Sequence, residues 1–342
     1  MALFRSSFLD KKELVYYGVT ADNMACNRDH FAATTTGKYA FFAGGAPVSS
    51  GMENTVDIYD KSLSYSIAPN MSYQRKSFAA TTLGNYALFA GGTNSKAANT
   101  VDIYDVSTTP ISHSVAPNMS QGRSWLSTTT LGNYALFAGG QSGGNDLNTV
   151  DAYDTSLTHS VVSNLYVNRS RFAAVTIGNH ALFAGGGTAA SNNTIDVYDL
   201  SLTHSIIHNS TTPTNMAYGR TYFAATTIGN YALFAGGSVS SATNTVDAYD
   251  TSLIHSIAPN MDYGRNNFAA TSIGKYALFA GGGTSRNTVD VYDTSLSHNI
   301  APANMSYQRN FLAATTVGNY ALFGGSAGGT GGRNTVDVYT LG

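Results

Sequence analysis

Ala87-Leu88-Phe89-Ala90-Gly91-Gly92 is a short apolar run ended by two glycines, and it recurs along the whole chain. It returns as AFFAGG from Ala40, as ALFAGG from Ala135, Ala181, Ala232 and Ala277, and as ALFGG from Ala321. The first glycines, Gly44, Gly91, Gly139, Gly185, Gly236, Gly281 and Gly324, lie 47, 48, 46, 51, 45 and 43 residues apart. Working outward, an arginine stands sixteen residues before the pair in six copies (Arg28, Arg75, Arg123, Arg169, Arg220, Arg265) and fifteen before it in the last (Arg309). An Asn-Thr-Val/Ile-Asp segment follows each pair. Self-similarity at a period of this size marks a repeat architecture, and seven units of this length fill the 342 residues.

Within one unit, Phe78 to Gly92 reads as two short β-rich runs split by Gly84-Asn85, a two-residue turn that favours a tight hairpin. The second run, Tyr86 to Ala90, is apolar at both parities, as in a strand sandwiched between neighbouring sheets. Thr100 to Tyr104 supplies a third strand. After a turn rich in Asp, Ser and Thr, a weaker outer strand follows around Ser114 to Ala116. Four strands per unit, repeated radially, predict an all-β, seven-bladed β-propeller occupying residues 1–342 as one domain.

The arginine, the glycine pair sixteen residues on and the strand Val101-Asp102-Ile103-Tyr104-Asp105 together resemble the Kelch family across essentially the whole chain. The resemblance implies four-stranded Kelch-like blades. This chain departs from the family pattern at the outer strand, where a Trp is usual and Tyr65, His113, His159, His204, His255 and His298 stand instead. It is also similar to highly repetitive Kelch-like proteins of bacteria and phages, which implies a surface or host-recognition setting.

The chain stops at Thr335-Val336-Asp337-Val338-Tyr339 plus three residues, so the seventh unit lacks an outer strand. Leu14-Val15-Tyr16-Tyr17-Gly18, followed by Met24 four residues before Arg28, reads as an orphan fourth strand. Residues 1 to 20 are therefore expected to complete the C-terminal blade, removing two open sheet edges.

Composition narrows the function. Charged residues make up 11% of the chain against ~25% in an average domain, and the net charge is −2. No basic stripe is present, which argues against nucleic acid as a partner. The single cysteine, Cys26, excludes an internal disulfide framework and a cysteine-based zinc site, and reads as a small hydrophobe. Asp10, Lys11 and Lys12 interrupt the apolar run that a secretion signal needs, and no stretch approaches the ~18 apolar residues of a membrane span. The chain reads as a soluble monomer, with cytoplasm, virion and cell surface all left open.

Positions where the copies differ are positions that the scaffold does not dictate. One set is the loops between second and third strands, such as 46–53, 141–147, 283–286 and 326–333. The other lies two residues after each arginine: His30, Ser77, Trp125, Arg171, Tyr222, Asn267 and Phe311. Kelch-like topology implies that both sets share one face at the mouth of the central channel. His30, Trp125, Arg171, Tyr222, Asn267 and Phe311 are the candidate ligand-binding residues, because aromatic rings stack on flat partners while polar groups orient them. The arginine of every unit reads as structural, bracing loops through carbonyls or an acidic neighbour, with anion binding by the ring as the competing reading. The repeated aspartates, from Asp57 to Asp337, are expected to satisfy donors within their own blades, and the outer-strand His and Tyr to pack with a polar tip.

No cofactor or metal is expected. Some Kelch-like propellers are copper radical oxidases or sugar mutarotases, but the lone Cys26 and the dispersed histidines do not match the former. The latter would need an acid or base at the mouth, for which Asp29, Glu53, Asp146 and Asp262 are the candidates, none of them paired as a dyad. The leading expectation is thus a non-catalytic scaffold for a glycan or protein partner. A structural spacer and a carbohydrate-active enzyme are the alternatives.

Overall fold

A computed structural model of the chain describes residues 13–20, 22–46, 51–187, 192–207, 215–283, 286–326 and 333–342. In the second blade, Ala79–Leu83 and Tyr86–Ala90 form the expected hairpin, with Gly84 at φ +58° in its turn. Val101–Asp105 pairs with the second strand and Ser112–Ala116 with the third, all antiparallel. The same order builds seven four-stranded sheets, and no helix occurs among the described residues. The molecule is a seven-bladed β-propeller.

Closure follows the expected route. Leu14–Val19 pairs antiparallel with Val336–Leu341 and becomes the outermost strand of the seventh blade, with Leu14 opposite Leu341 and Tyr16 opposite Tyr339. Residues 1–12 of the predicted closing segment lie outside the described residues.

The core sits between blades rather than within them. Ala87, Leu88, Phe89 and Ala90 are fully buried on both faces, and Phe41 of the first blade packs on Phe89 and Tyr104 of the second. Burying one such Phe contributes ~1.5–3 kcal/mol, repeated at every seam. The glycine pair exists because the chain passes under the next blade's arginine loop. A Cβ on Gly91, at φ +74°, would lie 2.6 Å from the Arg123 carbonyl oxygen. Any larger residue would force the blades apart.

Each blade is riveted by a buried polar cluster. Arg75 is completely buried, donates to the carbonyls of Phe89, Gly91 and Thr100, and pairs with Asp102. Asp102 also accepts from the Ser72 backbone N–H and from His113 Nε2 at 2.6 Å, and the His113 ring lies against Tyr104 with centroids 4.9 Å apart. The cluster joins the entry loop and the outer three strands. An Arg–Asp pair recurs in all seven blades, from Arg28–Asp57 to Arg309–Asp337. Tyr65 replaces the histidine in the first blade, and Tyr16 of the closing strand does so in the seventh. The aspartates thus do more than collect hydroxyl and backbone donors: their main partner is the buried guanidinium. A charge without a partner here would meet low dielectric and no water.

Candidate binding face

Two residues beyond each rivet arginine the chain turns back toward the inner strand. His30, Ser77, Trp125, Arg171, Tyr222, Asn267 and Phe311 all take φ between +51° and +57°. Only His and Asn among them are enriched in that left-handed region, so residue type does not impose it. A closed circuit of backbone hydrogen bonds does. Ser77 N–H donates to the His30 carbonyl (2.8 Å), Trp125 to Ser77 (2.8 Å), Arg171 to Trp125 (3.0 Å) and Tyr222 to Arg171 (3.0 Å). Asn267 then donates to Tyr222 (3.0 Å), Phe311 to Asn267 (2.8 Å), and His30 to Phe311 (3.4 Å). The longest link lies between the seventh and first blades, where the closing strand completes the ring.

This circuit brings side chains from non-adjacent blades together on the axis. His30 stacks on Phe311 with centroids 3.9 Å apart and meets Trp125 edge-on at 5.3 Å. Trp125 in turn meets Tyr222 at 5.9 Å, and the Arg171 guanidinium lies 5.4 Å from the Trp125 ring and 5.7 Å from that of Tyr222. Ser77 and Asn267 complete the circle, all seven lining a cavity of about 200 Å³. Phe31, Phe78 and their counterparts line the same cavity. Sequence reading passed over them, although an apolar residue three places after every arginine was visible.

Arg171 differs from the rivet arginines. Its Nη1 faces Ser170 Oγ (3.2 Å), its Nη2 faces Gln141 Oε1 (3.4 Å), and its Nε has no partner. Gln141 Nε2 passes the contact on to Asp146 Oδ1 at 3.4 Å. The loops share this face, since backbone bridges tie Asp29 to Ala46, Lys76 to Thr93, Ser124 to Gln141 and Thr221 to Ser238. Residues 47–50, 284–285 and 327–332 of the variable loops lie outside the described residues.

The acidic candidates separate. Asp29 is buried, lies outside the cavity lining, and holds Nδ1 of His30, whose ring lines the mouth. Asp146 contacts Gln141, and Glu53 contributes backbone bonds to Gly45 and Arg75. Asp262 lies with Asp290 and His298, their ligand atoms within 4.8 Å, but Asp290 already pairs with Arg265, whose charge opposes a cation there.

No protein-family model matches the chain, and no curated protein matches it. Among solved structures the chain is similar to one titled "Structure of YjhT", with a TM-score of 0.58 and 15% identity over 79% of this chain and 95% of that one. At that identity the likeness speaks to fold alone, and the assignment as a seven-bladed β-propeller rests on the seven four-stranded sheets of this chain.

Proposed function

We propose that this propeller is a non-catalytic binding module that recognises carbohydrate through the aromatic mouth on its axis. The observation that carries the reading is the convergence of Trp125, Tyr222, His30 and Phe311 around Arg171, a guanidinium with no ion-pair partner among the described residues. Flat rings stack on the C–H face of a sugar, and Arg171 and Asn267 supply directional donors at the rim. The cavity lies below the ~300 Å³ lower bound of drug-sized pockets, so it suits one sugar ring or one terminal group. The Kelch-like order of arginine, glycine pair and Asp-x-Tyr strand supports a scaffold that presents its loops on one face.

The test is a glycan array probed with the wild type and with a Trp125→Ala/Tyr222→Ala variant of equal melting temperature. A selective signal lost in the variant supports the mouth as the site, and a signal left unchanged removes it. A pull-down that yields one stoichiometric protein partner, with no glycan signal, replaces carbohydrate by protein. The Asp29–His30 pair favours a second reading, an acid/base enzyme acting on the bound sugar. That reading requires turnover abolished by His30→Ala, which the binding reading does not.

A further inference from the structure

We propose that the ligand is a chain rather than a single unit: an oligosaccharide whose end fills the axial mouth and whose next units leave along a trench between the loops of the second and third blades. This rests on the carbohydrate reading above. The trench has a volume of about 530 Å³, more than twice that of the mouth. Its walls are two loop hairpins, Thr93–Asn94 with Lys96–Ala97 and Gln141–Ser142 with Asn145–Asp146. Among the described residues these are the only loops that form sheets of their own, so they break the sevenfold symmetry and give a bound chain one direction of exit.

The trench is rigid at its base and is separated from the mouth by a single side-chain contact, Arg171 to Gln141. Ser124 and Gln141 exchange both backbone hydrogen bonds, at 3.0 and 2.7 Å, and Lys76 and Thr93 do the same at 3.2 and 2.9 Å. Gln141 lines the trench while its side-chain oxygen faces Arg171, which lines the mouth. A ligand touching Arg171 is therefore one side chain away from the trench.

The lining chemistry selects the class of chain. Hydroxyls of Thr93, Ser95 and Ser142, the Gln141 amide and the Lys96 ammonium surround the space, and no aromatic or branched aliphatic side chain does. An extended polypeptide would find no apolar pocket for its side chains there. Sugar hydroxyls, each donor and acceptor, match this set. At the far wall Gly143 and Gly144 take φ +56° and +85°, and a Cβ on either would meet nothing within 4 Å, leaving bare backbone for close approach.

The experiment is calorimetric titration with glucose, galactose and N-acetylglucosamine oligomers of one to six units. It compares the wild type, Ser142→Trp, which narrows the trench, Lys96→Ala and Trp125→Ala, all checked for equal melting temperature. For the oligomer series that binds, affinity should rise about tenfold from one unit to three, the worth of one or two net hydrogen bonds. Ser142→Trp should abolish that rise while leaving single-unit binding unchanged. Should Ser142→Trp fold poorly, Lys96→Ala must still weaken the trimer more than the monomer. Length-independent affinity, or a rise that survives both variants, overturns the trench while leaving the mouth intact. Affinity unchanged in Trp125→Ala removes the mouth reading itself, and no binding of any series overturns both.

Discussion

Arg169 and Arg171 are two residues apart in the same blade, carry the same group and do opposite things. Arg169 is buried, paired with Asp196 and bonded to the carbonyls of Phe183, Gly185 and Thr194, the same three-carbonyl pattern that Arg28 and Arg75 make in the first and second blades. Arg171 has no counterpart, sits half-buried on Trp125 and Tyr222, and pairs with no carboxylate among the described residues. The difference teaches that repetition within one chain separates what holds the ring together from what the ring displays. It also shows that residue type alone cannot do so.

The harshest way to break this comparison is to remove the last rivet partner. Deleting residues 1 to 20 takes away the Leu14–Val19 strand and the Tyr16 hydroxyl that bonds Asp337, and exposes the edge of Val336–Leu341. The expected outcome is loss of soluble folded protein or aggregation, followed by light scattering. A truncated chain that melts like the full one would place Tyr16 outside the rivet set.

Next in size is the direct contrast. Arg169→Ala leaves Asp196 buried without its counter-charge and should destabilise by about 3–5 kcal/mol in denaturant titration. Arg171→Ala should change stability by under ~1 kcal/mol yet weaken ligand binding at least tenfold. Similar stability losses in the two variants would collapse the distinction.

A pH titration sharpens it further. Burial pushes the hydroxyls of Tyr59, Tyr104, Tyr153, Tyr198, Tyr249, Tyr292 and Tyr339 well above the ordinary tyrosine range. Burial, with the Asp337 hydrogen bond, pushes Tyr16 up to about 12. The folded state therefore holds these protons more tightly than the unfolded chain. The stability linked to them is fully present below the ordinary value of ~10 and is lost as pH rises beyond it toward the folded values. Phenolate absorbance and circular dichroism should change together in one cooperative alkaline step, and gradual ionisation with the sheet signal retained would contradict this.

The smallest effect concerns the ring itself. Ser77→Gly should be neutral or stabilising by less than ~1 kcal/mol, since glycine relieves a left-handed φ of +57°. Gly91→Ala, on the repeat side of the comparison, should instead destabilise markedly through its clash with the Arg123 carbonyl. Melting temperatures of the two variants measure both.

Blade count, strand order and ring closure were legible because each rests on local pattern: the ALFAGG run, the Gly84-Asn85 turn, the orphan strand at Leu14. Proximity across the axis was not. Trp125 reaches His30 and Tyr222 from blades two positions away on either side, a meeting produced by ring closure that no sequence spacing encodes. The left-handed conformation of seven unlike residues was equally hidden, because their hydrogen-bonded circuit and not their side chains selects it. The Asp29–His30 contact lay between neighbours in the chain, but the turn that brings the His30 ring to the mouth depends on the same circuit.

That circuit has an electrostatic consequence. Its seven N–H···O=C links run head to tail around a closed loop, so their tangential dipoles sum to nothing, unlike the aligned peptides of a helix whose terminus attracts anions. The backbone therefore contributes no macrodipole within the plane of the mouth. Whatever preference for charge the mouth has is written by its side chains, Arg171 foremost, and one substitution there resets it.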